Sequence, residues 1–173
     1  MNYKLKIISK KNITENEIIN LCKLKTENWN YNISEQIEWW NKNSEENYII
    51  ASFIRKRSFL AFLRMRERRI SFNNKPIHCF CITEVCVAKK DQGKGWGKKL
   101  IEESKKFIKK MKMPAYLLCS NNQRNFYQKC NLKLTKKFDI IPNKKNYKKK
   151  DINCFFFNLK CTDEKIILYG NSF

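Results

Sequence analysis

The chain of 173 residues carries 37 Lys and Arg against 16 Asp and Glu, a formal charge of +21, and is 42% hydrophobic with 13% aromatics. That length suits one domain, and the apolar content is enough to build a core, which excludes an intrinsically disordered chain despite the charge. The longest purely apolar runs, 59–63 and 115–119, fall far short of the ~20 residues that span a bilayer, and the start Met1-Asn2-Tyr3-Lys4-Leu5-Lys6 has no apolar signal region, so the expectation is a cytoplasmic or nuclear protein with no membrane partner.

Residues 3–9 alternate polar and apolar and predict a first strand. Thr14-Glu15-Asn16-Glu17 has capping-box spacing, and Ile18, Leu21, Cys22 and, past Lys25, Trp29 set an apolar stripe on the helix that follows. Ser34 is the expected cap of a second helix over 35–41 carrying Ile37, Trp39 and Trp40. Residues 48–54 and 59–67, the latter extended over 68–72, read as a hairpin turned at 55–58. Asn73-Asn74-Lys75-Pro76 is a turn into a third, mostly apolar strand over 77–87. A helix over 97–111 places Leu100, Ile101, Ser104, Phe107, Ile108 and Met111 on one face, and Pro114 ends it. A short buried strand over 115–119, a short helix over 121–129, and strands over 132–141 and 153–160 joined by the lysine-rich 144–150 complete the chain. The fold class is therefore α+β, with about four helices on one mixed, mostly antiparallel sheet, in a single domain over 1–173.

Eight cysteines without a secretory signal are expected as free thiols serving as small core hydrophobes. Cys79-x-Cys81 lacks metal-site spacing, and the single His78 reads as a strand-end or surface residue, so no metal is expected. The charge comes from 30 Lys and only 7 Arg, beside 21 Asn. Lys and Asn share AT-rich codons, so the excess is partly a matter of composition, yet it still favours anionic small molecules. No stacking aromatics interleave with the lysines, which disfavours a nucleic-acid partner.

Three of only four glycines lie in Gln92-Gly93-Lys94-Gly95-Trp96-Gly97, directly between a strand and a helix. Glycine admits positive φ and close approach of backbone amides, and a helix start adds free N–H groups and a positive dipole end, which makes the loop a candidate phosphate cradle. Neither the dinucleotide fingerprint nor the nucleotide P-loop spacing is met.

Ile82-Thr83-Glu84-Val85-Cys86-Val87 followed by Gln92-Gly93-Lys94-Gly95-Trp96-Gly97-Lys98-Lys99-Leu100 resembles the acetyl-CoA-binding segment of the GNAT superfamily of N-acetyltransferases, whose signature is Gln/Arg-x-x-Gly-x-Gly/Ala after a V-x-V strand. Cys119-Ser120-Asn121-Asn122-Gln123-Arg124-Asn125-Phe126-Tyr127-Gln128-Lys129-Cys130 resembles that family's second segment, N-x-x-x-x-F-Y-x-K. Within the superfamily the chain is most similar to the glucosamine-phosphate N-acetyltransferases, from which it departs with Glu84 for Asp, Gln123 for a CoA-contacting Asn, and Asn131-Leu132 for Gly-Phe or Gly-Tyr.

The resemblance implies a sheet splayed between the strands ending at Val87 and Cys119, with the pantetheine of acetyl-CoA in the gap. It implies cofactor contacts from Val85, Cys86 and Val87, from Gln92, Gly93, Lys94, Gly95, Trp96, Gly97 and Lys98, and from Asn122, Gln123 and Tyr127. It further implies direct attack of an amine on the thioester, with Tyr127 as general acid and Glu84 as base, acting directly or through water. The leading acceptor is glucosamine 6-phosphate or a similar aminosugar. A protein N-terminal or lysine acetyltransferase, and a nucleic-acid-binding protein on a degenerate fold, are the alternatives, and a homodimer stays open.

Overall fold

A computed structural model describes residues 3–42, 47–56, 58–141, 148, 150–159 and 165–169. The chain forms two compact units, Met1–Arg66 with Glu84–Ile101, and Glu67–Thr83 with Glu102–Phe173.

In the first unit β1 (Lys4–Ser9) pairs antiparallel with β2 (Tyr48–Arg55), and β2 with the first part of β3 (Ser58–Phe72). The register runs Lys4↔Ile54 to Ser9↔Ile49 and Tyr48↔Arg66 to Arg55↔Ser58, with a bulge between Phe53 and Ile54. β3 is buried without alternation from Phe59 to Arg66, the pattern of a strand covered on both faces. Helices α1 (Glu15–Thr26) and α2 (Ile33–Lys42) supply Leu21, Cys22, Leu24 and Trp40 to a core completed by Tyr48, Ile50, Phe59, Phe62, Cys86 and Ala88.

The capping box forms as expected, with Thr14 Oγ1 accepting from the Glu17 N–H and Glu17 Oε2 from the Thr14 N–H. The cap of α2 is Asn32, not Ser34: its Oδ1 accepts the Ser34 N–H at 2.8 Å and its carbonyl the Gln36 N–H. An Asn side chain ahead of the first turn reaches the same orphan amides that a Ser would. The α1 stripe also differs. The helix stops at Thr26, leaving Trp29 exposed, and Lys25 occupies the interior.

In the second unit the end of β3 turns through Asn73 and Asn74, at φ +52° and +56°, into β4 (Lys75–Val87). Two consecutive left-handed residues match the strand twist, so the loop closes in two residues and the strand takes in Lys75 and Pro76. β4 pairs parallel with β5 (Ala115–Ser120) at Phe80↔Ala115 and Cys81↔Tyr116, and β5 pairs antiparallel with β8 (Ile152–Phe157). The expected strand over 132–141 is two strands, β6 (Lys133–Thr135) on β8 and β7 (Phe138–Ile141) on β9 (Ile166–Tyr169), broken where Thr135 Oγ1 accepts the Lys137 N–H. β9, not expected from sequence, also pairs antiparallel with β3.

The expected helix over 121–129 is a 3-10 turn followed by α4 (Arg124–Lys129). Of the expected linker 144–150, only 148 and 150 lie within the described residues. The core of this unit gathers Ile70, Cys79, Cys81, Tyr116, Phe138, Cys154 and Phe156. The class is α+β, with ladders mostly antiparallel. α3 (Trp96–Lys110) buries Leu100, Ile101, Ser104 and Ile108, while Met111, past its end, is exposed. All seven described cysteines are buried thiols outside any disulfide, and Cys161 lies outside the described residues.

Candidate functional site

β4 ends at Val87, the Ala88 N–H donates to the Leu60 carbonyl, and a 3-10 turn over Lys89–Asp91 leads to the glycines. Gly93 and Gly95 stand at φ +74° and +81°, with open space where a Cβ would project. These positions call for glycine by backbone conformation rather than by crowding. The Gly95 carbonyl accepts the Lys99 N–H at 3.0 Å, so Gly95 precedes the first turn of α3 and offers no side chain to cap the amides of Trp96, Gly97 and Lys98. α1 and α2 have side-chain caps and an acidic first turn; α3 has no acidic residue there. A helix start preceded by glycine and without acidic residues in its first turn suits an anion such as a pyrophosphate.

The loop is held from beneath. Asp91, 3% exposed, accepts from Arg55 Nη2 at 2.9 Å and Lys94 Nζ at 3.2 Å. Burial would raise its pKa, but the hydrogen bonds and charges of Lys94 and Arg55 prevail and hold it below the usual carboxylate range. Lys94 also donates to the Lys90 carbonyl, so its ammonium folds back onto the loop. Gln92 Nε2 donates to Asn28 Oδ1 at 2.6 Å and to the Val87 carbonyl at 3.2 Å, and Asn28 Nδ2 donates to the same carbonyl at 3.1 Å and to Cys86 Sγ. Asn28, which nothing in the sequence marks, thus ties the strand end to the loop. The Val87 carbonyl accepts from two side chains, and the Cys86 thiol points into the core, pushed up to about 12 by burial, so any cofactor contact from Cys86 is through its main chain. Trp96 packs edge-on against Tyr3 and Phe53, at 4.7 and 5.5 Å between ring centroids.

Glu84 is the unusual residue of β4. Its φ is +56°, a conformation costing about 1–3 kcal/mol that clusters at functional sites. Its Oε1 accepts from Lys25 Nζ at 3.0 Å and Arg64 Nη2 at 3.1 Å, while Oε2 is buried without a hydrogen-bond partner. The Lys25 ammonium lies 4.9 Å, and the Arg64 guanidinium 4.7 Å, from the Trp39 ring centroid. Sequence reasoning missed both cations, although each carries a signal: Lys25 interrupts an apolar stripe and Arg64 an apolar run.

Tyr127 lies in the second unit on α4, 7% exposed, edge-on to Phe126 at 4.9 Å and tilted against Phe155 at 5.8 Å. Burial, then the neighbouring Cys119 and Cys130, pushes its pKa well above the ordinary phenol value. The phenol keeps its proton and serves as a persistent hydrogen-bond donor. Asn122 and Gln123 are exposed in the preceding turn, Gln123 Oε1 accepting from Ser120 Oγ. His78 is exposed, accepting from Arg69 Nε.

The model of the acetyltransferase (GNAT) domain family matches residues 9–134. No curated protein matches the chain. Among solved structures it is similar to the GNAT family N-acetyltransferase YhbS from Escherichia coli in complex with CoA, at 8% identity over 97% of this chain and 91% of that one, with a TM-score of 0.65. An acyl-CoA N-acyltransferase from Pseudomonas aeruginosa is similar at 15% identity over 90% and 97% of the chains, TM-score 0.62. Glucosamine-6-phosphate N-acetyltransferase from Arabidopsis thaliana is similar at 18% identity over 77% and 92%, TM-score 0.54. At these identities the likeness is one of fold.

Proposed function

This chain belongs to the acetyltransferase (GNAT) domain family and is an acetyl-CoA-dependent N-acetyltransferase, and from that premise we propose that it acetylates the amine of a phosphorylated aminosugar, with glucosamine 6-phosphate the leading acceptor. The cradle of amides over Gly93 to Lys98, open above both left-handed glycines and free of acidic residues in the first turn of α3, is the observation that supports the cofactor half of this reading; it receives the pyrophosphate. Gln92 and Lys94 brace that loop, Trp96 backs it, and the main chains of Val85, Cys86 and Val87 face the pantetheine; Asn122 and Gln123 are the further cofactor contacts that the resemblance implies.

In the reaction the amine nitrogen attacks the acetyl carbonyl carbon. The C–N bond forms, the C–S bond breaks, and the proton of the amine passes to Glu84. The departing thiolate accepts the hydrogen bond and then the proton of Tyr127, so that the products are the amide and CoA thiol, and the two side chains re-equilibrate with water. Because the buried phenol is a weaker acid than a thiol, its first contribution is the hydrogen bond, which stabilises charge as it develops on sulfur.

The acceptor half rests on the formal charge of +21 together with the motif likeness to aminosugar-phosphate enzymes. A phosphate on the acceptor gains charge-assisted hydrogen bonds worth about 1.5–3 kcal/mol each. Two such bonds raise kcat/KM for glucosamine 6-phosphate over glucosamine by roughly two to four powers of ten. Thiol release from acetyl-CoA with both sugars and a lysine-containing peptide tests this. Equal rates with the two sugars, or activity confined to the peptide, would reject the aminosugar and favour a protein acceptor.

A further inference from the structure

The two oxygens of Glu84 are in opposite circumstances. Oε1 is gripped by cations from two separate elements, Lys25 of α1 and Arg64 of β3, whose side chains are 7% and 2% exposed. Oε2 is buried and has no hydrogen-bond donor. Buried acceptors in native proteins are satisfied, so each exception calls for an explanation. A carboxylate pinned through one oxygen loses most of its rotational freedom, and its other oxygen then holds a fixed direction. The grip is itself fixed, since both cations lie over the Trp39 and Trp40 rings, Lys25 at 4.9 and 5.9 Å and Arg64 at 4.7 and 5.1 Å from the centroids. Left-handed φ at Glu84 persists only where the surroundings over-determine it, and this clamp is such a surrounding.

The titratable groups that face Glu84 come from every element around it. Cys22 of α1 and Cys86 of β4 are thiols raised by burial to about 11 and about 12, and Tyr48 of β2 is a phenol raised by burial. All three stay neutral near pH 7, and Lys25 and Arg64 are the charged groups paired with this carboxylate.

We propose that Lys25 is a positioning residue for the transfer reaction: by holding Oε1 it fixes the Glu84 carboxylate in the orientation from which it takes the proton of the acceptor amine, directly or through water. The inference rests on the reading of Glu84 as the base of an amine acetyltransferase.

The test compares wild type, Lys25→Met, Lys25→Arg, Glu84→Gln and the double variant Lys25→Met/Glu84→Gln, with glucosamine 6-phosphate, glucosamine and a lysine-containing peptide as acceptors and CoA affinity measured by calorimetry. Lys25→Met should lower kcat/KM for the amine by about 10²-fold, as expected when a general base is misplaced, with CoA affinity changed less than about twofold. Lys25→Arg should recover to within about fivefold of wild type. On the Glu84→Gln background the lysine change should cost nothing further, because residues that act as a unit are not additive. That double variant leaves no unpaired carboxylate, so, compared with Glu84→Gln, it shows whether Lys25 acts apart from Glu84 even where Lys25→Met fails to fold. An active wild type with an equally active Lys25→Met protein, no rescue by arginine, or a further loss in the double variant overturns the role of Lys25. A wild type that binds CoA yet acetylates none of the three amines overturns the reading of function, and the role with it.

Discussion

Tyr127 and Asp91 are shifted in opposite directions by their surroundings, and each shift sets a measurable consequence. Burial raises the Tyr127 phenol, so its proton is lost only above the ordinary tyrosine value of about 10. The basic limb of kcat should therefore not arise from Tyr127 below about pH 10. Tyr127→Phe, which keeps the ring and removes the donor, should lower turnover about 10²-fold with CoA affinity nearly unchanged; wild-type turnover in a chemistry-limited assay would refute the role. Asp91 is held below its unfolded value by Lys94 and Arg55 despite its burial. The stabilisation it contributes is therefore present above about pH 3.9 and is lost as pH falls through its lower folded value. The thermal midpoint should drop on acidification below about pH 4, and Asp91→Asn should lower the midpoint at neutral pH and flatten that drop. An Asn variant with the wild-type acid profile would show that the loop is not held this way.

At the scale of elements, the glycine loop and α3 carry the part of the site that was legible in the chain itself. A helix start, a cluster of scarce glycines and the absence of acidic residues are local facts, decided within four residues. Gly95→Val tests the element as a unit. Valine at φ +81° is a strained, β-branched outlier, so the loop must rearrange and CoA should bind at least tenfold more weakly, while the fold persists by circular dichroism; unchanged CoA affinity would remove the cradle from the site. The cap of α2 and the ends of α1 and α3 were legible to within one turn only. Ser34 and Asn32 are equally good caps, and which one serves depends on where the linker from α1 arrives. β7 and β9 were not legible as partners because each is four residues long, and a short apolar run shows no period of its own.

At the scale of the whole molecule, the charge of +21 predicts a salt dependence. The preference for glucosamine 6-phosphate over glucosamine should shrink as ionic strength rises from about 0.05 to 0.5 M, where screening shortens to a few ångströms, while the rate with glucosamine changes little. A preference indifferent to salt would place the phosphate contacts in a fully buried site. The sequence by itself determined the α+β order of elements as far as α4, the capping box, the buried cysteines and the loop that matches the acetyltransferase family, because all of these are written in local spacing and composition. Only the tertiary structure decided that Glu84 is clamped by Lys25, 59 positions away, and by Arg64, 20 away, that Asn28 braces Gln92 across 64 positions, and that Tyr127 is buried enough to keep its proton. Such partners have no periodic signature. Their meeting is fixed by which helix packs on which strand, and that depends on the free energy of the assembled core rather than on any window of sequence.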